Sequence, residues 1–372
     1  MEKKVLKLSV MLFIVALVLS LTSLSGLAAT SYTAIGGSTT FTKNLVVDED
    51  ANIPDVTFTF TVSAGTPVAA STSNLEILAS ATNATVGTAV FSSADTAGAT
   101  AGLPTDADPL NPTAGKKYAS KTVTVTFPAG SFTKPGCYRY VIAEVDGNVD
   151  GITYDTSSRY LDVFVVADNN DVLSIDSCTL RTSATNIALS GAYASDPGVK
   201  SEGYTNSVAQ YDFTFTKAIT GNQGDKNKRF TFTLEISNAI PGTYVVNATD
   251  VTGNPASITV DNNGDYTGTF ALTNGSSLTV VGLNEDAVVD VSEAEEDYSP
   301  SYSINGAAAV DGNDAGDITL DDDYTVDFTN ERDGIIPTGV IMAVAPYVIG
   351  LCLFGAILLF AISKKRKANS YN

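Results

Sequence analysis

Six residues of this 372-residue chain carry reactive groups where the pattern of the sequence asks for apolar ones. Side chains alternate between the two faces of a β-strand. On that rule Lys43 shares a face with Phe41, Leu45 and Val47, and Lys217 with Phe213, Phe215 and Ile219. Glu144 continues the row of Tyr138, Tyr140 and Ile142, and Glu293 the row of Ala287, Val289 and Val291. Asn206 lies with Tyr204 and Val208, and Asn330 with Tyr324, Val326 and Phe328. The order Lys, Glu, Asn therefore occurs twice. A buried lone charge costs several kcal/mol, so each group must pair or neutralise. Burial lowers a lysine pKa and raises a glutamate pKa, by up to about 3–5 units when complete. A neutral amine is a nucleophile. A protonated carboxyl can donate to the asparagine carbonyl and shuttle protons. A dry, fixed geometry raises the effective concentration of the partners. The expected product is an amide between Lys Nζ and Asn Cγ, with ammonia released. An ordinary salt bridge or hydrogen-bonded trio is the other arrangement these residues allow.

The elements that must hold these residues read as strands. Val56–Val62, Lys121–Phe127, Tyr138–Val145 and Tyr160–Val166 are short alternating runs between Gly, Pro, Asn and Asp clusters. Residues 64–120 have weaker periodicity and read as short strands and long loops. A second, smaller set follows: Tyr211–Ile219, Phe230–Ile236, Ser257–Val260, Tyr266–Leu272, Ala287–Glu293 and Tyr324–Asn330. The spacing predicts an all-β protein of two tandem Ig-like β-sandwich domains, 30–209 and 210–333. Residues 200–217 form the hinge of that reading: the last strand of one domain runs straight into the first strand of the next. An internal repeat supports it. Phe41-Thr42-Lys43 aligns with Phe215-Thr216-Lys217, and at the same offset Thr57-Phe58-Thr59 aligns with Thr231-Phe232-Thr233.

Composition narrows the function. Lys plus Arg number 21 against 41 Asp plus Glu, a net charge of −20, which argues against a nucleic-acid partner. The chain has no His, which removes the commonest general base and metal ligand, and no Trp, which weakens a sugar-stacking role. No cofactor or metal is expected. Asp261, Asn263 and Asp265 resemble half a calcium loop but read better as a hairpin turn. Cys137 and Cys178 could pair in an oxidising compartment, or remain two separate thiols.

The two ends carry addresses. Residues 1–29 read as a signal peptide, with Lys3, Lys4 and Lys7 before the apolar run Leu8–Leu19 and small residues to Ala29. Residues 340–363 are uncharged and long enough for a transmembrane helix. The basic tail 364–372, starting Lys364-Lys365-Arg366-Lys367, would stay cytoplasmic. Within 334–339 stands Ile336-Pro337-Thr338-Gly339. Motif, span and basic tail together resemble a sortase sorting signal, close to the Val-Pro-Thr-Gly form of some streptococcal pilus shaft subunits. The resemblance implies that a sortase thiol attacks the Thr338 carbonyl and discards Gly339 onward. An ordinary tail anchor is the alternative.

Lys on the first strand, Glu in a Tyr-Val-Ile-Ala-Glu strand and Asn on the last strand resemble the isopeptide-forming domains of Gram-positive pilins. The first domain resembles the pilin isopeptide linkage domain, and the second the collagen-adhesin B-type domains. That resemblance implies Lys43–Asn206 and Lys217–Asn330 cross-links, assisted by Glu144 and Glu293, with Glu295 and Glu296 as neighbouring alternatives to the latter. It implies a non-enzymatic structural subunit of a cell-wall-anchored pilus, exported through a membrane-bound precursor. Its partners would be a sortase, neighbouring subunits in a covalent homopolymer, and peptidoglycan or a base pilin. By the same resemblance Lys200, after Asp196-Pro197-Gly198, would receive Thr338 of the next subunit; Lys116, Lys117 and Lys121 are alternatives. A monomeric or accessory wall-anchored adhesin could use the same domains.

Overall fold

The structure, a computed structural model, describes residues 31–95, 97–99, 115–187, 200–334 and 347–359. The described part of the first unit contains β1 (Ile35–Asp48), β2 (Val56–Phe58), β3 (Phe60–Ala64), β4 (Ile77–Leu78), β5 (Thr85–Val86), β6 (Ala89–Phe91), β7 (Gly98–Ala99), β8 (Lys116–Phe132), β9 (Gly136–Glu144), β10 (Ile152–Thr153), β11 (Arg159–Ala167), β12 (Leu173–Arg181) and β13 (Gly203–Val208). One sheet runs β10-β13-β1-β8-β5, with β7 also on β8. The facing sheet runs β12-β11-β9-β3, with β4 on β9, and β2 pairs with β6. Aromatic and branched side chains from both sheets fill the space between, among them Phe41, Phe60, Tyr140 and Tyr204.

The second unit contains β14 (Gln210–Thr220), β15 (Phe230–Ser237), β16 (Gly242–Ala248), β17 (Ser257–Val260), β18 (Tyr266–Leu272), β19 (Ser277–Asn284), β20 (Val288–Glu293), β21 (Ser299–Ile304), β22 (Val310–Asp311), β23 (Ile318–Thr319) and β24 (Tyr324–Glu331). Its sheets run β17-β16-β19-β14-β24-β21-β22 and β18-β15-β20-β23. β15 shows why the sequence folds this way. In Phe-Thr-Phe-Thr-Leu-Glu-Ile-Ser, Phe230, Phe232, Leu234 and Ile236 are buried while Thr231, Glu235 and Ser237 are exposed. Only Ala209 separates β13 from β14.

In each unit the first strand pairs in parallel with the last. Lys43 lies opposite Tyr204 and Leu45 opposite Asn206. Lys217 lies opposite Phe328 and Ile219 opposite Asn330. Each asparagine thus stands two residues beyond its lysine's partner, on the same face of the sheet.

The structure bears on three of the sequence expectations. The repeat is offset differently in its second block. Phe58 packs under Lys43 as Phe230 does under Lys217, and Phe60 opposes Glu144 as Phe232 opposes Glu293. The register there is therefore two residues from the Thr-Phe-Thr alignment. Cys137 and Cys178 are free. They lie on β9 and β12, which flank β11 on opposite sides. Two strand spacings, about 9–10 Å, exceed what a disulfide spans. Of the 340–363 stretch, residues 347–359 are described and form a helix, α1, with exposed Leu351, Phe354 and Leu359. No helix among the described residues is long and apolar enough to cross a membrane. The 1–29 segment, Ile336, Pro337, Thr338, Gly339 and the 364–372 tail lie outside the described residues.

Candidate cross-linking sites

The six residues meet as two trios. Lys43 comes from β1 and Asn206 from β13, adjacent strands of one sheet, and Glu144 reaches them from β9 of the other. Lys43 Nζ donates to Glu144 Oε2 at 2.7 Å, and Asn206 Nδ2 donates to Oε1 of the same carboxyl at 2.5 Å. In the second unit Lys217 Nζ donates to Glu293 Oε2 at 2.8 Å and Asn330 Nδ2 to Glu293 Oε1 at 2.6 Å. The amine and the carboxamide are held side by side on the two oxygens of one carboxyl. The sequence reading put that carboxyl on the amide carbonyl; the structure puts it on the amide nitrogen.

All six are buried: Lys43 0%, Asn206 0%, Glu144 5%, Lys217 1%, Asn330 2% and Glu293 3% exposed. Aromatic rings complete the enclosure. Lys43 Nζ stands 4.5 Å from the Phe58 ring centre, and Lys217 Nζ 4.4 Å from that of Phe230. Burial outweighs the attraction of Glu144 and lowers the Lys43 pKa to about 8; burial likewise lowers Lys217 to about 8 against the pull of Glu293. Desolvation raises both carboxyls above their ordinary value, against their lysines and asparagines. Both partners therefore shift toward the uncharged pair, amine plus carboxylic acid, which a nucleophilic attack requires. Glu295 and Glu296 do not compete. Both are exposed, and Glu296 pairs with Lys228 at 2.9 Å.

Around the first trio lies a network that sequence reasoning missed. The Asp155 N–H donates to Asn206 Oδ1 at 2.8 Å. The Asp155 carboxylate accepts from Arg159 Nη2 at 2.7 Å, and Arg159 Nε donates to Ser201 Oγ at 3.0 Å. Arg159 also lies over the Tyr204 ring, 5.0 Å from its centre. Arg159, a charged residue at the head of the apolar strand β11 and itself buried, was the available signal.

The linking candidates separate by environment. Lys200 is exposed and forms an isolated antiparallel bridge with Arg181; it makes no ion pair among the described residues. Lys116 pairs with Asp48. Lys121 pairs with Asp95 at 2.5 Å, and Lys117 lies in the middle of the sheet between Val47 and Ala99. Asp261 Oδ1 accepts from the N–H groups of Asn263 at 2.8 Å and Asp265 at 3.0 Å, a turn closed by its own side chain.

Comparison with known proteins follows the same division. Residues 39–207 match the FctA family, described as a Spy0128-like isopeptide containing domain. Residues 211–332 match a domain of unknown function, DUF7601. A pilin of Streptococcus pyogenes serotype M1 is 30% identical over 371 residues, covering 93% of this chain and 98% of that protein. The pilus tip adhesin Cpa of Streptococcus pyogenes is 34% identical over 135 residues, 35% of this chain and 18% of the adhesin. Among solved structures, the major pilin of Streptococcus pyogenes superposes with a TM-score of 0.50 at 23% identity, covering 80% of this chain and 99% of the pilin. The T-13 major pilin of that species gives 0.51 at 20% identity, covering 82% and 100%. These structural likenesses establish a shared fold.

Proposed function

The chain belongs to the streptococcal pilin family and is a structural subunit of a cell-surface pilus; from that premise we propose that it welds itself internally through two Lys–Asn amide bonds and is joined to its neighbours by a sortase. The observation that carries the weld is the doubled trio. The same three residue types, in the same strand register, are buried on one carboxyl in each unit.

The chemistry balances without a cofactor. The ion pair first passes its proton from Nζ to the glutamate. The neutral amine attacks Asn Cγ, forming the new C–N bond while the carbonyl electron pair moves onto Oδ1. The remaining excess proton on nitrogen moves through the carboxyl to Nδ2. The Cγ–Nδ2 bond breaks, ammonia leaves, and the carbonyl re-forms. Each trio acts once on its own chain, so the protein is a substrate of its own folding and not a turnover enzyme.

Assembly uses other residues. A sortase cleaves after Thr338 within Ile336-Pro337-Thr338-Gly339 and transfers the threonyl carbonyl to Lys200 of the next subunit. The 1–29 signal and the 340–363 span hold the precursor in the membrane, and the last subunit passes to peptidoglycan or a base pilin. Exposure of Lys200, against the ion-paired Lys116 and Lys121, favours it as acceptor. The 98% coverage of a pilin, against 18% of a tip adhesin, favours a shaft role over an accessory adhesin. Digestion of the cell wall should release a ladder of covalent polymers. Lys200→Ala should collapse it to monomer. A full ladder from that variant would reject Lys200, and a wild-type chain that never exceeds monomer mass would reject polymerisation in favour of the adhesin.

A further inference from the structure

The two trios share their Lys–Glu and Asn–Glu hydrogen bonds and differ at the asparagine carbonyl oxygen. In the first, Asn206 Oδ1 accepts the Asp155 N–H at 2.8 Å. In the second, Asn330 Oδ1 is buried with no hydrogen-bond partner. The backbone explains the difference. β10 pairs antiparallel with β13, Ile152 opposite Val208 and Thr153 opposite Ser207. One more step would set Tyr154 beside Asn206. The chain leaves the sheet there instead, since residues 154–158 belong to no strand. The Asp155 N–H is thereby released from ladder bonding and turned onto the side chain. In the second unit the equivalent strand β21 stays in the sheet, and the residue opposite Asn330 is Pro300, which has no N–H.

We propose that the backbone N–H of Asp155 is the oxyanion donor for the Lys43–Asn206 reaction, and that Arg159 is the positioning residue that aims it. The proposal rests on the amide-forming reading above. Attack at Cγ moves negative charge onto Oδ1, and the glutamate, occupied with Nζ and Nδ2, does not touch that atom. A fixed donor at hydrogen-bond distance stabilises the charge as it forms. In the first unit labour is thus divided: Asp155 holds the oxygen while Glu144 moves the proton. Arg159 ties the donor to its target. One edge of the guanidinium holds the Asp155 carboxylate at 2.7 Å, and Nε holds Ser201 Oγ at 3.0 Å. Ser201 Oγ in turn donates to the carbonyl of Gly203, the first residue of the strand bearing Asn206, at 3.0 Å. Asp155 Oδ1 also accepts from Ser157 N–H at 3.1 Å, which shapes the turn.

The test deletes one hydrogen. The full-length chain is synthesised in a cell-free reaction with the α-hydroxy analogue of aspartate at position 155, so that an ester oxygen replaces the N–H. Samples are quenched in denaturant over time, and each cross-linked peptide pair is quantified by mass spectrometry. The 43–206 bond should form about 100-fold more slowly than in the wild type. The 217–330 bond, an internal control for synthesis, should keep its rate. Wild-type speed at 43–206 in the ester chain would overturn the proposal while leaving the cross-link standing. A wild-type chain that forms neither bond would overturn both. Arg159→Ala and Arg159→Lys supply a second arm that does not depend on the ester folding. Arg159→Ala should slow 43–206 and Arg159→Lys should recover much of the rate. The pH profile of the reaction should keep its position in Arg159→Lys, which retains the positive charge facing Lys43 and Asp155, and should move in Arg159→Ala, where the Asp155 carboxylate is left to raise the Lys43 pKa. Equal rates in the two Arg159 variants, or a displaced profile in Arg159→Lys, would reject Arg159 as the positioning group.

Discussion

Lys43 is an amine enclosed by Phe58, Glu144 and Asn206, with its pKa lowered to about 8 chiefly by desolvation. That shift has a stability consequence wherever the cross-link is prevented. The folded value lies below the ordinary 10.5, so the unfolded chain holds the proton more tightly. The buried ammonium therefore weakens the fold at pH values below about 8, and the burden fades as pH rises from about 8 to 10.5. Its size is about 3 kcal/mol. Glu144→Gln removes the proton carrier and the counter-charge, which leaves Lys43 unreacted and more burdened still. In that background Lys43→Met should stabilise the protein at pH 7, as measured by urea unfolding, and the advantage should shrink by pH 10. An advantage that grows with pH would contradict the desolvation account. These six residues were legible because each interrupts an apolar face of strand periodicity. Asp155 was not, since its contribution is a main-chain N–H in a turn, and any residue type except proline supplies one.

Strand pairing turns six separate residues into two sites. The parallel β1–β13 pair leaves no room for a side chain at Gly203, which has φ of +153°, and a Cβ there would stand 1.7 Å from the Thr42 carbonyl oxygen. Only glycine allows the two strands to approach so closely. Gly203→Val should spread this pair, so that peptide mapping finds 217–330 joined and 43–206 open; full joining of 43–206 would show that the register survives without the glycine. Oxidation state should matter little, because β11 keeps Cys137 and Cys178 apart: the melting temperature should be the same with and without reductant, and a drop on reduction would reveal a bridge. Strands with one buried face were readable in advance. β17 and β18 begin and end where the alternation does. β19 was missed because Val280, Val281, Gly282, Leu283 and Asn284 are all buried, which erases the alternation. β21 was missed for the opposite reason: from Pro300 to Ile304 every residue is half-buried, so no contrast marks a face.

Across the molecule the two units are joined by apolar and hydrogen-bonded contacts as well as by the chain itself. Ile240 of the second unit inserts into the core of the first. Asn52 Nδ2 donates to the Thr243 carbonyl and Asp55 N–H to the Pro241 carbonyl, both at 2.8 Å. Gln210 joins the units from the connecting strand, accepting from Asp48 N–H and donating to the Gly282 carbonyl, both at 2.9 Å. With both cross-links in place, tension applied at residues 31 and 334 would run from Lys43 to Asn206, along the chain to Lys217, and across to Asn330. Residues 44–205 and 218–329 would carry no load. Single-molecule pulling should show no unfolding step in the wild type, and two steps in the double variant Asn206→Ala, Asn330→Ala. Each bond should also restrict the unfolded chain by about 4–5 kcal/mol, as a covalent bridge closing a long loop does.

All of this depends on whether the buried amines are consumed. Intact-mass measurement of the folded protein, followed by mapping of its proteolytic peptides, decides that most directly. The account predicts a chain lighter than its sequence by two ammonias, with Lys43 found joined to Asn206 and Lys217 to Asn330. A chain of full sequence mass, with free amines at Lys43 and Lys217 and intact carboxamides at Asn206 and Asn330, would contradict it.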